Sequence, residues 1–467
     1  MTTEYLEETE HPKLKLQSPL DRSGSLKPAK NKVEIVTTGL IIIFSLGFGV
    51  VMGLTFISVT KSQLTGSGGI LMFLGNVAAM VGTYLALVLV VLVSRNYILE
   101  KVLGQDQLVH WHKKLAPWAL ILISVHVVFT TIGFAQYSKS NVFSQLSSFV
   151  TSFPNMITAI IAFIFMAMAG SISIKYIRLR IKRELWWTIH LLMYVALIIS
   201  FAHIVGLGPA FVGHPLATHF WTVLCIFVAA IILYFRFAMP IYKNLYHNIR
   251  VQSVQPLTDE LTNIICSGYN LNKLRVSGGQ FFYWRFVAPG IWWQAHPYSV
   301  SAMPSDIYIR LTVKSVGDFS KDIRKLKPGT RVLIEGPYGT FTKYRQVARK
   351  ALLISGGIGI TALRSLLEDL PTKSQPIVIN RVTSKDELVM HNEFLELIKL
   401  KKGALHEVIG ARDVVKFNAP MMKKLVPDIA KRDIFLCGSQ PFIDHTLSSL
   451  HELGVQNDYI HFEVFSL

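Results

Sequence analysis

The stretch His110–Thr130, HWHKKLAPWALILISVHVVFT, places histidines at both ends of a long apolar run. A second stretch, Leu185–His203, LWWTIHLLMYVALIISFAH, repeats the arrangement. Each run is close to the roughly 20 residues that cross a bilayer as a helix. Four further runs of the same kind surround them, so six segments are expected: Ile35–Val59, Ile70–Val93, Val109–Gly133, Met156–Ile174, Leu185–Val205 and Thr218–Phe237. Ionisable groups at membrane depth are costly and usually functional. The histidines inside segments three and five are therefore the first candidates for chemistry.

Segments three and five run in the same direction, so His112 and His190 share one depth and His126 and His203 share another. The spacings are 14 and 13 residues, or roughly 20 Å along a helix. Two haems stacked across a bilayer need about that separation, each taking one imidazole from each helix. Imidazole is a normal axial ligand of haem iron. The expected pairs are His112 with His190 and His126 with His203. A 14-residue step returns to within about 40° of the same helix face, whereas the 13-residue step of segment five falls about 140° away. Segment five is therefore expected to contain a bulge or bend. His110 faces elsewhere, and His214 and His219 read as interfacial residues. Lys113 and Lys114 either snorkel to the surface or pair with haem propionates.

The loops orient the segments. Lys175, Arg178, Arg180, Lys182 and Arg183 follow segment four, against Glu184 alone. Arg95 and Lys101 follow segment two. The loops after segments one, three and five hold Lys61, Lys139 and no Lys or Arg. Basic loops stay in the cytoplasm. The expected location is thus the cell membrane, multi-pass, with both termini cytoplasmic.

The 467 residues are 51% apolar, and the apolar content is concentrated in residues 33–239. The formal charge of +18 carries no nucleic-acid recognition motif and is explained by cytoplasmic loops. Three cysteines, Cys225, Cys266 and Cys437, exclude a four-cysteine iron–sulfur cluster within this chain. The expected organisation is a disordered cytoplasmic tail (1–32), a transmembrane haem-binding bundle (33–239), an antiparallel β-barrel for FAD (244–345) and a doubly wound α/β nucleotide-binding domain (346–467).

The last two assignments rest on pattern. Short alternating stretches with Gly and Pro breaks, such as NIRVQSVQPL and IYIRLTVKS, read as a small antiparallel barrel. From Ala351 the chain reads ALLISGGIGITALRSLLEDL: a buried strand, a glycine turn, then a helix. Gly356, Gly357 and Gly359 let the backbone approach a pyrophosphate. Arg381 ends the second strand of this domain, where its planar donors suit a ribose 2′-phosphate, so NADPH is favoured over NADH.

With these motifs in order, residues 35–467 resemble the ferric reductase and NADPH oxidase superfamily. The resemblance implies that HPYS is the flavin motif: Tyr298 and Ser299 border the isoalloxazine, while His296 and Pro297 shape the strand. It implies that KSVGDFS, through Lys314, Gly317 and Ser320, lies near the flavin phosphates. GPYG, Gly336 to Gly339, matches the turn into the nicotinamide domain. SGGIGIT, including Thr361, and CGSQPF, with Cys437 and Gly438, look like the nicotinamide-nucleotide contacts. The terminal HFEVFSL resembles endings in which an aromatic, here Phe465, covers the flavin. Cys437 and Phe465 are the catalytic candidates. Ala362 stands where the family often has proline. Thr130 stands where animal oxidases have histidine, and residues 35–59 lack the arginine those enzymes place near the outer haem.

The expected function is transmembrane electron transfer from cytoplasmic NADPH through FAD and two b-type haems to an outer acceptor, oxygen or ferric iron. Two alternatives stand beside it. One is a membrane subunit reducing a partner protein; the other is a flavin reductase on a non-haem anchor.

Overall fold

The computed structural model describes residues 29–465. Residues 1–28 of the expected tail lie outside the described residues, and its last four open the first helix. The chain divides into a helical unit, Lys32–Pro240, and a second unit from Ile241 onward.

The helical unit contains α1 (Ala29–Ile57), α2 (Gly69–Leu92), α3 (Gln105–Tyr137), α4 (Val142–Ser152), α5 (Met156–Ser171), α6 (Arg183–Leu207) and α7 (Pro215–Ile232). Among the described residues, five helices are long and apolar enough to cross a membrane. The fourth expected segment differs: α5 has 16 residues and reaches spanning length only with α4, from which it is bent by 116°. Large apolar side chains such as Ile43, Leu46, Ile198 and Phe227 are exposed along these helices, the surface that lipid covers.

Small residues set the closest helix pairing. A Cβ on Gly75 would lie 2.8 Å from Thr130 Cγ2, and one on Gly133 would lie 2.7 Å from Met72 Cγ. Backbones of α2 and α3 therefore approach closely, as small residues allow between helices in lipid. The expected distortion of segment five is not where the helix phase placed it. Helix α6 runs unbroken, and the one π-turn among the described residues is Leu233–Ala238, which continues α7.

The second unit begins with the end of α8 (Met239–His247). Strands β1 (Arg250–Pro256), β2 (Leu261–Ser267) and β5 (Tyr308–Lys314) form one antiparallel sheet; β4 (His296–Ser299), β3 (Phe281–Phe286) and β6 (Val332–Tyr338) form another. The bridges Arg250–Arg331 and Val300–Leu311 link strands between them. Phe282, Trp284, Phe286, Ile264 and Leu311 fill one core beneath both sheets. The expected barrel is thus two three-stranded sheets over a shared core, without closure of the first sheet.

A five-stranded parallel sheet follows, in the order β11 (Ile460–Val464), β10 (Arg432–Gly438), β7 (Lys350–Gly356), β8 (Ile377–Val382), β9 (Ala404–Ile409). Ala351 to Ile354 of β7 are fully buried, the continuous apolar run expected of a strand covered on both faces. Strand order reverses between β7 and β10, and ligands bind at such a switch point, beyond the carboxyl ends of the strands. Helix α9 (Asp318–Ile323) lies within the flavin-motif region. Helices α10 (Ile360–Asp369), α11 (His391–Lys401) and α12 (Gln440–Glu452) accompany the parallel sheet. Arg310 of β5 grips Glu393 of α11 with two hydrogen bonds of 2.9 and 2.8 Å, and Arg364 of α10 donates to the same carboxylate at 2.7 Å. Burial alone would raise the Glu393 pKa; the two guanidinium groups outweigh it and hold the carboxyl below its usual range.

Candidate functional site

The helical unit brings the four histidines together in the expected pairs. The ring centroids of His112 and His190 are 6.3 Å apart and nearly perpendicular, at 71°. His126 and His203 are close enough to act on each other electrostatically. Metal–imidazole bonds are about 2 Å long, so two rings on opposite sides of one iron stand roughly 6 Å apart between centroids. The inner pair fits that requirement.

Three rings are held through Nδ1. His112 donates to the Leu89 carbonyl at 3.3 Å and His126 donates to the Gly75 carbonyl at 3.0 Å. Both acceptors lie on α2, and the step from Gly75 to Leu89 equals that from His112 to His126. His190 Nδ1 meets Ser173 Oγ at 3.4 Å; that hydroxyl donates to the Ala169 carbonyl and accepts from Trp186 Nε1. A donating Nδ1 fixes the tautomer and leaves the Nε2 lone pair for a metal. The buried Nδ1 of His203 has no partner among the described residues. Trp186 stacks on His190 at 5.1 Å, and Arg178 lies over Trp186. Thr130 turns its hydroxyl to the His126 carbonyl at 2.6 Å, so this side chain spends its donor on its own helix.

In the second unit the two expected flavin motifs meet. His296 of β4 stacks on Phe319 of α9 with centroids 3.9 Å apart. Trp284 Nε1 donates to the Tyr298 carbonyl at 2.9 Å and fixes the strand that carries Tyr298 and Ser299. Burial pushes the Tyr298 phenol up. Ser299 Oγ is buried and has no partner among the described residues, which fits a hydroxyl aimed at a flavin, since buried polar groups need partners. Pro297 opposes Tyr283 across the sheet. Ser320 is committed locally: its hydroxyl accepts from the Val316 and Gly317 amides at 2.9 and 3.0 Å and donates to the Gly317 carbonyl. These bonds support the turn that precedes α9.

A cleft of about 960 Å³ runs from Glu260 and Lys314 to Gly357, Arg412 and Phe465. Lys314 is paired with Glu260 at 3.1 Å. Gly357 has φ +62° and open space where a Cβ would stand, so this point of the turn can admit a pyrophosphate. Gly356 and Gly359 serve differently. Cβ atoms there would strike the Phe442 ring and the Cys437 carbonyl respectively, so Gly356 lets the turn lie against α12 and Gly359 lets it lie on β10. The Thr361 hydroxyl donates to the Ile358 carbonyl at 2.9 Å and is buried. Phe465 lines the cleft, and its amide donates to the Gly438 carbonyl at 2.9 Å.

Two of the candidates are buried. Cys437 is fully buried in the core of the parallel sheet, and burial, with Glu463 adding, pushes its thiol well up. Its backbone carbonyl meets the glycine turn. Arg381 is buried, and its guanidinium donates to the carbonyls of Val382, Gly410 (2.7 Å) and Val415 (3.2 Å). It clamps the loop after β9. Arg412, Lys416 and Phe442 also line the cleft; the first two stand in the loop at the carboxyl end of β9, a position the strand pattern alone could have flagged.

These two units define an NAD(P)H-dependent membrane oxidoreductase carrying a flavin. Residues 78–201 match the family model described as ferric reductase like transmembrane component, and residues 246–342 match that of an FAD-binding domain. The two matches on one chain are those of the ferric reductase and NADPH oxidase superfamily. The glycine betaine monooxygenase reductase subunit of Pseudomonas aeruginosa is 27% identical over 186 residues, covering 36% of this chain and 50% of that protein. The flavohemoprotein of Bacillus subtilis is 28% identical over 188 residues, covering 36% and 46%. The chain spans about half the length of the curated relatives it matches. Among solved structures, the FAD/NAD-binding domain of a nitric oxide dioxygenase from Vibrio cholerae aligns with 47% of this chain and 98% of its own, at 23% identity and a TM-score of 0.40.

Proposed function

We propose that this protein passes electrons from cytoplasmic NADPH, through FAD and two bis-histidine b-type haems, to an acceptor on the outer face, a ferric chelate or oxygen. The observation that supports this most is the pairing of four intramembrane histidines at two depths, with His112 and His126 held through Nδ1 by carbonyls of one neighbouring helix. His112 and His190 would hold the inner haem, and His126 and His203 the outer. Bound FAD supplies the change from hydride to single electrons, and haem iron supplies one-electron carriage.

The chain's own groups position and shield. Ser299 Oγ offers its unspent hydrogen bond to the flavin, with His296, Pro297 and Tyr298 shaping that strand. Lys314 and Gly317 would serve the flavin phosphates. Gly357 gives the dinucleotide its approach, and Phe465 closes the cleft beside Gly438. With both histidines of a pair engaged, each haem would favour outer-sphere reduction of the acceptor. The engaged Thr130 hydroxyl agrees, because it offers no donor to bound oxygen. In this reading residues 33–239 bind haem, residues 244–345 bind FAD and residues 346–467 bind the nicotinamide nucleotide, with the basic loop after α5 on the cytoplasmic side.

The test is the absorbance spectrum of purified protein from haem-replete cells. A reduced b-type signal with about two haems per flavin is expected; a flavin-only spectrum overturns the proposal. NADPH oxidation with ferric chelate or oxygen, with and without superoxide dismutase, then separates the acceptors.

A further inference from the structure

We infer that α4 is an interfacial helix: it lies along the bilayer surface opposite the basic loop after α5, with Val142, Phe143, Leu146 and Val150 sunk among the acyl chains of the lipid. This rests on the reading of the helical unit as membrane-spanning, and in the proposed orientation that surface is the outer one.

The sequence of α4, VFSQLSSFVTS, divides into three faces. Gln145 and Phe149 form a narrow face, and both are buried. Val142, Phe143, Leu146 and Val150 fall within about 100° of arc at about 100° per residue. All four are exposed, Phe143 at 83%. Ser144, Ser147, Ser148, Thr151 and Ser152 take the remaining arc. A helix with a protein side, an apolar side and a hydroxyl side is built to meet three surroundings at once.

Its rotation is fixed. Phe149 packs edge-on against Phe134 of α3 at 5.4 Å and against Phe153 at 5.2 Å. Gln145 Oε1 accepts from the Ser138 hydroxyl at 2.9 Å. The Asn141 side chain caps the helix by accepting from the Ser144 amide at 2.8 Å. With the narrow side held by α3, the apolar side stays turned outward.

The length of α5 says what covers that side. Its 16 residues rise about 24 Å, and the hydrocarbon core is about 30 Å thick. The span is short by about 6 Å. Helix α4 meets it at 116°, close to a right angle. A helix lying flat sinks its apolar side about 5–10 Å, which makes up the shortfall. The chain enters lipid directly after α4, since Ile157, Ile160 and Ile164 of α5 are exposed. A protein interface takes about 20–30 residues a side, and this face offers four. No headgroup charge is selected either: Lys139 is the only Asp, Glu, Lys or Arg between Gln136 and Ile174.

The experiment uses the full-length protein in phosphatidylcholine bilayers. Phe143→Cys, Leu146→Cys, Val150→Cys, Ser144→Cys, Ser147→Cys and Thr151→Cys each carry a nitroxide. All six positions are exposed, and unsubstituted protein gives the background of the three native cysteines. Electron paramagnetic resonance reads collisions with oxygen, which concentrates in lipid, and with a nickel chelate, which stays in water. The oxygen-to-nickel ratio is expected to be roughly threefold or more higher at Phe143, Leu146 and Val150 than at Ser144, Ser147 and Thr151. Phe143, Leu146 and Val150 should lie at one depth, and added anionic phosphatidylglycerol should leave the pattern unchanged. Nickel access as high at Phe143 as at Ser147 places the apolar side in water. Low access to both probes with dipolar broadening places a second copy on it. Depth that rises steadily from Phe143 to Val150 makes α4 part of a re-entrant span, and a pattern confined to anionic bilayers makes headgroup charge the cause. Each of these overturns the inference. Ile164→Cys on α5 and Ile198→Cys on α6 test the membrane reading separately: if oxygen does not reach labels there, that reading itself falls, and the inference with it.

Discussion

The two units place their polar groups by opposite rules. In the helical unit a few side chains stand out from an apolar background, and three of the four paired histidines are held by a single backbone carbonyl or hydroxyl, as His126 is by Gly75. In the reductase unit charged side chains are plentiful, and many are spent on architecture: Arg381 on a loop, Arg310 and Arg364 on Glu393. In the proposed reading the ligand-facing work there falls to backbone, as at Gly357, and to a hydroxyl, as at Ser299. A rare polar residue is informative in lipid because its cost must be met by function. In water the same residue type costs little, and its role depends on what it touches.

Five changes sharpen or break this contrast. The largest effect is expected from His126→Ala. Outer-face acceptor reduction should fall by roughly a hundredfold or more, while bleaching of the flavin by NADPH persists. Haem content per flavin should drop by half; an unaltered acceptor rate would remove His126 from the relay. Next is Gly359→Ala, whose Cβ would stand 2.3 Å from the Cys437 carbonyl oxygen. Displacing the turn should destabilise the unit by about 2–3 kcal/mol, as overpacking does. Gly357→Ala has open space and φ +62°, so it should cost about 1 kcal/mol and raise KM for the dinucleotide. Melting curves with KM values separate the two, and equal losses of stability would defeat the distinction.

Glu393→Ala should cost about 2 kcal/mol by leaving Arg310 and Arg364 without their shared carboxylate, discounted because Glu393 is about one-third exposed. Thermal unfolding read by flavin fluorescence checks it. The smallest effect concerns Asp428, which Arg432, with help from Lys350, holds down at about 2. An unfolded carboxylate titrates near 3.9. The folded group is the stronger acid, so its stabilisation is complete above about pH 4 and is lost as pH falls through about 2. The stability gap between wild type and Asp428→Asn should be flat at neutral pH and close across that window. Lys350 and Arg432 begin β7 and β10, the end away from the cleft, so turnover should not change.

The segments, the depth pairing of the histidines and the glycine turn were legible because each follows from a period or a spacing. Other features were not. The fourth span is short, and its 116° junction with α4 turns on Asn155 in a left-handed conformation, which no hydropathy window registers. The phase of His190 and His203 called for a distorted helix, yet α6 is regular and the π-turn lies at LYFRFA, a sequence that does not announce it. Arg381, Ser320 and Cys437 were assigned by position along the chain. Their contacts, Arg381 with a loop, Ser320 with a turn and Cys437 with the core, were not legible from position alone. Position told where the ligand edge of the sheet lies; it did not tell which side chains had donors left.

The membrane helices pair most extensively as two hairpins, α2 with α3 and α5 with α6. Each histidine pair draws one ring from α3 and one from α6. Whatever sits between those rings is therefore a staple between two separately insertable pieces. In the proposed reading, biogenesis and loading become one event: hairpins enter the bilayer first, and haem joins them by binding only the assembled form. A cell short of haem would then hold this protein as loose hairpins for its quality control to clear, and the level of the protein in the membrane would report the supply of its own cofactor.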